Sequence, residues 1–283
     1  MRSLMFNIFF ISATILYAFV AVILSFMPGR LLMMGALRRY TRVIRWGMRL
    51  IAGINVTVSG HEHIPEEGAI IIAAKHQSYG DGIIMFSEFF DLSFVTGDHL
   101  EKFLFIKRIL AKMNAVVIDS CGGVDQRKKM AETSAIVREQ GRRILIYPEG
   151  HLSRIGTHHR YRKGVYHIYK DFNCPVIPVA TNLGQRWNQM DFKKHPGQAH
   201  LEFLEPILPG MEKDAFMALL EDRIETRSIA LLDLDDLGAL NPDDIGEFEE
   251  NKVARAARAA CEHEDACQDP GKTMTNHQGQ KHE

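Results

Sequence analysis

The first 61 residues of this 283-residue chain contain no aspartate or glutamate, although they contain seven arginines. The compensating acidic residues lie toward the carboxyl end, and the whole chain has a net charge of only -1. Because the net charge is close to zero, the chain has no general electrostatic attraction to nucleic acid, and we expect no nucleic-acid partner. The one-sided distribution instead predicts an amino-terminal region that faces an anionic surface.

Cysteine is also scarce. The four cysteines show no paired metal-ligand spacing, and the sequence offers no acidic or thiolate partners for its neighbouring histidines, so we expect no metal site. In a domain that faces the cytoplasm these thiols should be reduced, and we predict no disulfide.

Residues 4–27 are almost continuously apolar. As a helix this run would measure about 36 Å, enough to cross a hydrocarbon core of about 30 Å with some tilt. A cleaved signal peptide is the alternative, but the apolar run is longer than is usual for one and no small-x-small cleavage site precedes Pro28. We therefore predict a retained membrane helix. The arginines follow it, which predicts that residues 30 onward are cytoplasmic.

Residues 34–52 mix arginine with apolar side chains in a helical pattern. We predict a basic amphipathic helix that lies on anionic lipid headgroups; the alternative is an ordinary surface helix with solvated arginines. The expected organisation is a membrane anchor and interfacial helix at residues 1–52, a catalytic domain at residues 53–232, and an acidic, partly disordered tail at residues 233–283.

Short apolar runs alternate with helical patterns along residues 53–232. The runs at residues 69–74, 143–147 and 175–180 are rich in β-branched side chains, as is typical of buried strands. This alternation predicts an α/β fold with a central, mostly parallel sheet flanked by helices.

His76 and Asp81 lie where the run at residues 69–74 gives way to a helical pattern. Open α/β sheets place active-site groups at such carboxyl ends of strands. On one continuous helix these side chains would point roughly 140° apart, so we expect a turn to bring them together. The carboxylate would then orient the imidazole, whose other nitrogen could act as a general base. Alternatively, Asp81 only caps the helix and His76 is an ordinary polar residue.

A second apolar run, at residues 143–147, leads directly into Glu149 and Gly150. Beyond it, Arg160, Arg162 and Lys163 form a basic cluster suited to binding a phosphate through charge-assisted hydrogen bonds. A solvated basic loop is the alternative.

His76-x4-Asp81, the run Tyr147-Pro148-Glu149-Gly150 and the run at residues 176–179 together resemble the motif series of the 1-acylglycerol-3-phosphate acyltransferases, the lysophospholipid acyltransferase family. The resemblance covers about residues 50–210. It implies that His76 is the general base and that Asp81 orients it. The expected substrate-binding residues are Glu149, Gly150, His151, Arg154 and Arg162.

The resemblance also implies the substrates. A fatty acyl chain would move from a thioester of coenzyme A or acyl carrier protein to the free hydroxyl of a lysophospholipid, with 1-acylglycerol-3-phosphate as the expected acceptor and phosphatidate as the product. No other cofactor is expected. A thioester is reactive enough that positioning and one base can suffice.

The sequence departs from the family pattern at two places, one directly after the second motif and one before Gly122 and Gly123. His151 and Leu152 stand where the family has threonine and arginine, and Ser120 stands where it has another arginine. Arg154, Arg160 or Arg162 could replace the missing cations. If they do not, a different lysophospholipid or hydroxyl-bearing lipid becomes the expected acceptor.

Two other classes of function compete. Ser78 follows a strand and precedes a helix, as the nucleophile of a serine hydrolase would, although His76 stands where that sharp turn requires glycine. The other competitor is a catalytically silent lipid-binding protein of the membrane.

Overall fold

The structure, a computed structural model, describes residues 1–102, 104–118, 124–188 and 191–240. Seven strands form one sheet in the order β1-β7-β6-β2-β5-β3-β4. Neighbouring strands run parallel except for the β6–β7 pair, which is antiparallel. The strands are β1 (Ile54–Ser59), β2 (Ile71–Ala74), β3 (Ser93–Gly97), β4 (Val116–Ile118), β5 (Ile144–Ile146), β6 (Val176–Thr181) and β7 (Gly197–Phe203).

Strand β2 lies at the centre of the sheet, between β5 and β6, and all four of its residues are buried. Because successive side chains of a strand point to opposite faces, Ile72 and Ala74 join one apolar core and Ile71 and Ala73 join the other. Both faces are therefore covered, which explains why the sequence of this strand is continuously apolar rather than alternating.

Helices supply both covering layers: α1 (Arg2–Ser25), α2 (Leu31–Gly47), α3 (Tyr79–Glu88), α4 (Leu104–Met113), α5 (Val124–Glu139), α6 (Gly164–Phe172) and α7 (Lys213–Ala230). Helix α7 shows how the sequence selects a buried face. Phe216, Leu220 and Ile224 recur every four residues, are fully buried, and pack on the core beneath the sheet.

Helix α1 contacts the domain at both of its ends. Near its start, Phe6 packs edge-on against Trp187 at 5.1 Å between ring centroids, and the Asn7 amide donates to the Phe192 carbonyl. At its end, Arg108 and Lys112 of α4 donate to the carbonyls of Ser25 and Leu24. The helix therefore lies along the domain instead of projecting from it.

The predicted fold class, the amino-terminal apolar helix and the amphipathic basic helix are confirmed. Three details differ from the sequence-based expectation. Helix α3 begins at Tyr79, so Asp81 lies inside its first turn instead of at its entrance, and helix α6 was not predicted. Residues 233–240, assigned to the acidic tail, contact the domain, because buried Arg186 pairs with Asp233 and Asp236. Ser120 and residues 241–283 of the predicted tail lie outside the described residues.

Candidate active site

The turn after β2 is built by reciprocal capping of α3. Ser78 is the N-cap, and its hydroxyl accepts a hydrogen bond from the Gly80 N–H. Asp81, three residues later, accepts the N–H groups of Gln77 and Ser78 at 2.7 and 2.8 Å. These bonds satisfy donors that the start of a helix leaves free. Asp81 is therefore fixed by the backbone before it touches any catalytic group.

The same carboxylate oxygen of Asp81 contacts the histidine. Asp81 Oδ2 lies 3.2 Å from His76 Nδ1, and the Asp81 side chain is 1% exposed. A carboxylate accepts hydrogen bonds only, so this contact assigns the proton to Nδ1 and leaves Nε2 as the acceptor. The histidine side chain is 21% exposed. The arrangement can remove a proton from a hydroxyl that approaches Nε2. Asp81 helps to cap α3, but Ser78 is the N-cap, and Asp81 also contacts the imidazole, so capping is not its only contact.

Tyr147, at the end of β5, fixes the plane of the imidazole. Its ring stacks on His76 with 3.8 Å between centroids and 14° between planes. Burial, and then the nearby charge of Asp81, raises the pKa of Tyr147 well above its ordinary value, so the phenol stays neutral. Among the described residues its hydroxyl has no hydrogen-bond partner.

Beneath the histidine lies a buried charge network. Lys75 Nζ donates to Glu149 at 3.1 Å and to both oxygens of Glu225 at 2.9 Å. The second oxygen of Glu149 accepts the backbone N–H of His76 at 3.0 Å, and Tyr161 donates to Glu225 at 2.8 Å. The network therefore links α7, through Lys75 and Glu149, to the backbone of the histidine.

The charges of this network do not balance, because one lysine faces two carboxylates. Burial opposes the charge on Lys75, but Glu225 and Glu149 outweigh it and raise the pKa of the lysine. For Glu225 burial dominates, and together with Glu149 it raises the pKa of the carboxyl group against the pull of Lys75. The lysine stays protonated, and the carboxyl group of Glu225 resists ionisation.

Gly150 and Arg162 lie together in the loop after β5. Gly150 has a φ of +74°, and a Cβ at this position would lie 2.5 Å from Arg162 Nε. Any side chain at residue 150 would thus be strained and would also displace the arginine. The Arg162 N–H donates to the Pro148 carbonyl, and the Arg162 side chain is exposed, as are His151 and Arg154. Among the described residues no carboxylate pairs with Arg154 or Arg162.

The predicted residues therefore fall into two groups. His76 and Asp81 are in contact, whereas Glu149 is 1% exposed and bonds the backbone of His76. His151, Arg154 and Arg162 are at the surface of the neighbouring loop. Because β2 and β5 are parallel neighbours, both groups lie at the same edge of the sheet. Substrate binding by Glu149, Gly150, His151, Arg154 and Arg162 stays a prediction.

Sequence reasoning missed Lys75, Tyr147 and Glu225 as parts of the site. A signal existed for two of them. Lys75 directly follows a wholly buried strand, and Glu225 follows Ile224 on the buried side of α7, so each had to find a buried partner of opposite charge. The stacking of Tyr147 depends on strand neighbours that no local pattern encodes.

The geometry disfavours the hydrolase alternative. Ser78 is 0% exposed, and its hydroxyl is used to cap α3, so it is not presented to a substrate as a nucleophile. Within the described part of the chain, no group of three or more His, Cys, Asp or Glu residues could hold a metal ion.

Comparison with known proteins supports an acyl-transfer site. The model of the Acyltransferase family matches residues 55–182, which include both motif loops. A 1-acyl-sn-glycerol-3-phosphate acyltransferase of Pseudomonas aeruginosa is 30% identical over 185 residues, which cover 64% of this chain and 72% of that protein. One from Borreliella burgdorferi is 28% identical over 132 residues, which cover 46% of this chain and about half, 52%, of its own length.

A solved structure shares the fold. The crystal structure of the 1-acyl-sn-glycerophosphate (LPA) acyltransferase PlsC from Thermotoga maritima superposes with a TM-score of 0.65 and 18% sequence identity, over 82% of this chain and 98% of that one. At this identity the likeness concerns the fold alone. The Pseudomonas relative carries the assignment further, because the alignment is 30% identical over most of that protein. The chain belongs to the acyltransferase family that includes the 1-acyl-sn-glycerol-3-phosphate acyltransferases.

Proposed function

We propose that this protein transfers a fatty acyl chain from a thioester donor to the free hydroxyl of 1-acylglycerol-3-phosphate and so produces phosphatidate. The observation that carries the proposal is the contact between His76 Nδ1 and Asp81 Oδ2, which leaves Nε2 of a partly exposed imidazole free to accept a proton. The names of the relatives supply the substrate class.

In the proposed reaction, His76 Nε2 takes the proton of the acceptor hydroxyl while that oxygen forms a bond to the thioester carbonyl carbon. The carbon–sulfur bond then breaks, and the departing thiolate receives the proton from the imidazolium. Asp81 stabilises the imidazolium between these steps, because its charge lies beside Nδ1–H. No covalent acyl-enzyme is required, in keeping with the buried, capping role of Ser78.

The acceptor phosphate is proposed to bind the cations of the loop after β5. Arg162 is exposed, is held beside Gly150, and has no carboxylate partner among the described residues. Such a guanidinium can donate two parallel hydrogen bonds to a phosphate. Arg154, and Arg160 on the same exposed loop, offer further charge, and these residues would replace the arginines that the family has at the positions of Ser120 and Leu152.

The experiment is an acceptor and donor panel with the purified, detergent-solubilised protein. Acyl-coenzyme A and acyl carrier protein thioesters are tested in turn, with lysophosphatidate or a zwitterionic lysophospholipid as the acceptor. The expected result is a higher kcat/KM for lysophosphatidate. A higher kcat/KM for the zwitterionic lipid would make that lipid the acceptor. If no pair of donor and acceptor releases thiol, the protein is instead a catalytically silent lipid-binding protein.

The protein is also proposed to act at the cytoplasmic surface of a bilayer. Helix α1 is long and apolar enough to cross a membrane, and only 11% of its most apolar window is buried. Its exposed side chains form one face, comprising Leu4, Ile8, Ile11, Ile15, Phe19 and Ile23. Exposed arginines on α2 suit the negative surface potential of the cytoplasmic leaflet.

The sequence predicts that α1 crosses the bilayer, whereas the contacts at both of its ends favour a position within one leaflet. Cysteines introduced at Met1 and Pro28, with the native cysteines replaced by serine, distinguish these arrangements. A membrane-impermeant thiol reagent should label both positions from the same side of a sealed vesicle. Labelling from opposite sides would establish a transmembrane α1.

A further inference from the structure

A basic cleft lies where the end of α1 meets α4. It has a volume of about 410 Å³, within the usual size range for small-molecule sites. Its lining includes the cations Arg30, Arg108 and Lys112, together with Ala111 and Asn114. None of these residues belongs to the catalytic site described above.

The cleft carries an excess of positive charge. Asp91 pairs with both Arg30 and buried Arg142, at 2.8 and 3.0 Å. Within the described part of the chain, Arg108 and Lys112 donate hydrogen bonds only to backbone carbonyls of residues 24–27 at the end of α1. Four cations thus share one carboxylate among the described residues. The negative end of the α1 dipole offsets only about half a charge, so an anion entering the cleft would be attracted.

The cleft is not part of the acceptor site. Asp91 and Asn114 precede β3 and β4, whereas His76 follows β2, and these strands run in the same direction. The cleft and the histidine therefore lie at opposite edges of the sheet. A strand of four or five residues measures roughly 13 to 17 Å, too far for one headgroup to contact both.

The rim of the cleft indicates which kind of anion enters it. Phe26 and Met27, in the turn that follows α1, are 61% and 43% exposed, and Leu31 at the start of α2 is 59% exposed. The guanidinium of Arg108 lies 4.3 Å from the centre of the Phe26 ring. An exposed apolar rim beside unneutralised cations suits a ligand with a phosphate group and acyl chains, because the rim can enter the hydrocarbon while the cations bind the headgroup.

We propose that the cleft lined by Arg30, Arg108 and Lys112 binds the phosphate headgroup of an anionic phospholipid of the bilayer, at a site separate from the catalytic acceptor site. The bound lipid anchors the α1–α2 turn to the bilayer, at the edge of the sheet opposite the histidine. The inference uses the association with a membrane but does not depend on the identity of the acceptor.

Ala111 allows a test that spares the contacts of Arg108 and Lys112 with α1. It is exposed, lines the cleft and lies on α4, where glutamate and glutamine are both good helix formers. Ala111→Glu should lower partitioning of the full-length protein onto vesicles that contain phosphatidylglycerol by about fivefold relative to Ala111→Gln, since one charge near a membrane surface contributes about 1 kcal/mol. On pure phosphatidylcholine vesicles the two variants should partition equally.

Lys107→Gln is the matched control, because it also lowers the net charge by one on α4 but does not line the cleft. It should weaken binding to anionic vesicles less than Ala111→Glu does. If Lys107→Gln and Ala111→Glu lose equal amounts of vesicle binding, the effect comes from general surface charge and the proposed site is wrong. Equal partitioning of Ala111→Glu and Ala111→Gln would also show that the proposed site is wrong.

Two further measurements test the kind of ligand and the separation of the cleft from the acceptor site. Inorganic phosphate should displace the wild-type protein from anionic vesicles no more than chloride of equal ionic strength does. Greater displacement by phosphate would show that the cleft binds a soluble anion instead of a lipid. Ala111→Glu should keep the wild-type kcat with a short-chain, water-soluble acceptor. A loss of turnover with this acceptor would show that the cleft is part of the acceptor site, and it would overturn the proposal. Vesicle binding does not depend on turnover, so it tests the cleft even if the proposed reaction is wrong.

Discussion

The loops that follow β2 and β5 end neighbouring parallel strands at the same edge of the sheet, yet they are built differently. In the β2 loop (residues 75–78), the side chains of Lys75, Gln77 and Ser78 are at most 4% exposed. In the outer part of the β5 loop (residues 147–163), His151, Arg154 and Arg162 are exposed.

This difference separates two kinds of function. A general base must be held in one position and one tautomer, and buried hydrogen bonds achieve both. A headgroup arrives with its own charge and water, so the cations that meet it can remain at the surface. We therefore expect changes in the β2 loop to affect turnover and folding, and changes in the outer β5 loop to affect the choice of acceptor.

The largest effect is expected for His76→Ala. A general base contributes about a hundred- to ten-thousand-fold to a rate, so kcat in a thiol-release assay should fall at least about a hundredfold. The unfolding transition should change little, because the imidazole is partly exposed. His63→Ala is the control, because His63 lies between the end of β1 and the start of β2, at the edge of the sheet opposite His76. A His76→Ala protein that keeps a tenth of the wild-type kcat would contradict the mechanism.

Lys75→Met should cost the most stability. It removes the cation that pairs with both Glu149 and Glu225, which are nearly fully buried, and leaves two carboxylates facing each other. Breaking a buried ion pair from one side typically costs about 3 to 5 kcal/mol. Denaturant unfolding followed by circular dichroism measures the loss. A cost below about 1 kcal/mol would show that the network does not hold the β2 loop.

Arg162→Gln should change acceptor preference while the enzyme still folds. Loss of one charge-assisted phosphate contact costs about 1.5 to 3 kcal/mol, or roughly ten- to a hundredfold. That loss should be seen in the ratio of kcat/KM for lysophosphatidate to kcat/KM for a zwitterionic lysophospholipid. Lys170→Gln, an exposed cation on α6, should leave the ratio unchanged. If both variants behave alike, Arg162 does not bind the acceptor phosphate.

Glu225→Gln should have a smaller effect, and one that depends on pH. The pKa of Glu225 is raised by burial and by Glu149, so its contribution to stability is complete below the ordinary value near 4.5 and is lost as pH rises through the folded value. Glutamine copies the uncharged acid and leaves Lys75 paired with Glu149. The difference in Tm between Glu225→Gln and wild type should therefore grow in favour of the variant as pH rises above about 4.5. A constant difference across pH would mean that Glu225 ionises normally.

Features that depend on neighbouring residues in the chain could be predicted from the sequence, whereas contacts between distant elements could not. The strand before His76 and the spacing to Asp81 are local, so the apolar run and the residues that follow it were enough to predict a turn, and in the structure Asp81 Oδ2 lies 3.2 Å from His76 Nδ1. The fold class followed from the alternation of apolar runs. Helix α6 was not predicted, although Val165, Ile168 and Phe172 recur at helical spacing and are buried.

Contacts between elements that are distant in the sequence could not be predicted from local patterns. Glu225 meets Lys75 across 150 residues, and Tyr147 meets His76 only because β5 and β2 are neighbours in the sheet. No local pattern specifies strand order. The position of α1 along the domain depends equally on Trp187 and α4, whereas its composition alone predicted only a helix long enough to span a bilayer.

The smallest effect is expected for Tyr147→Phe, which tests whether the ring or the hydroxyl supports the histidine. The hydroxyl is buried without a partner among the described residues, while the ring stacks on His76 at 3.8 Å. Phenylalanine keeps the stack and removes an unsatisfied polar group, so the free energy of unfolding should stay equal or rise by up to about 1 kcal/mol. The value of kcat should be unchanged, because the proton that His76 accepts does not pass through residue 147.

Tyr147→Leu is the matched contrast, since it removes the stack as well as the hydroxyl. Without a flat surface beside it the imidazole can rotate away from Asp81, so kcat should fall while KM changes little. A tenfold loss of kcat in Tyr147→Phe itself would show instead that the hydroxyl acts on Asp81 or on the substrate. The β5 loop would then supply part of the catalytic machinery, and the division of roles between the two loops would be wrong.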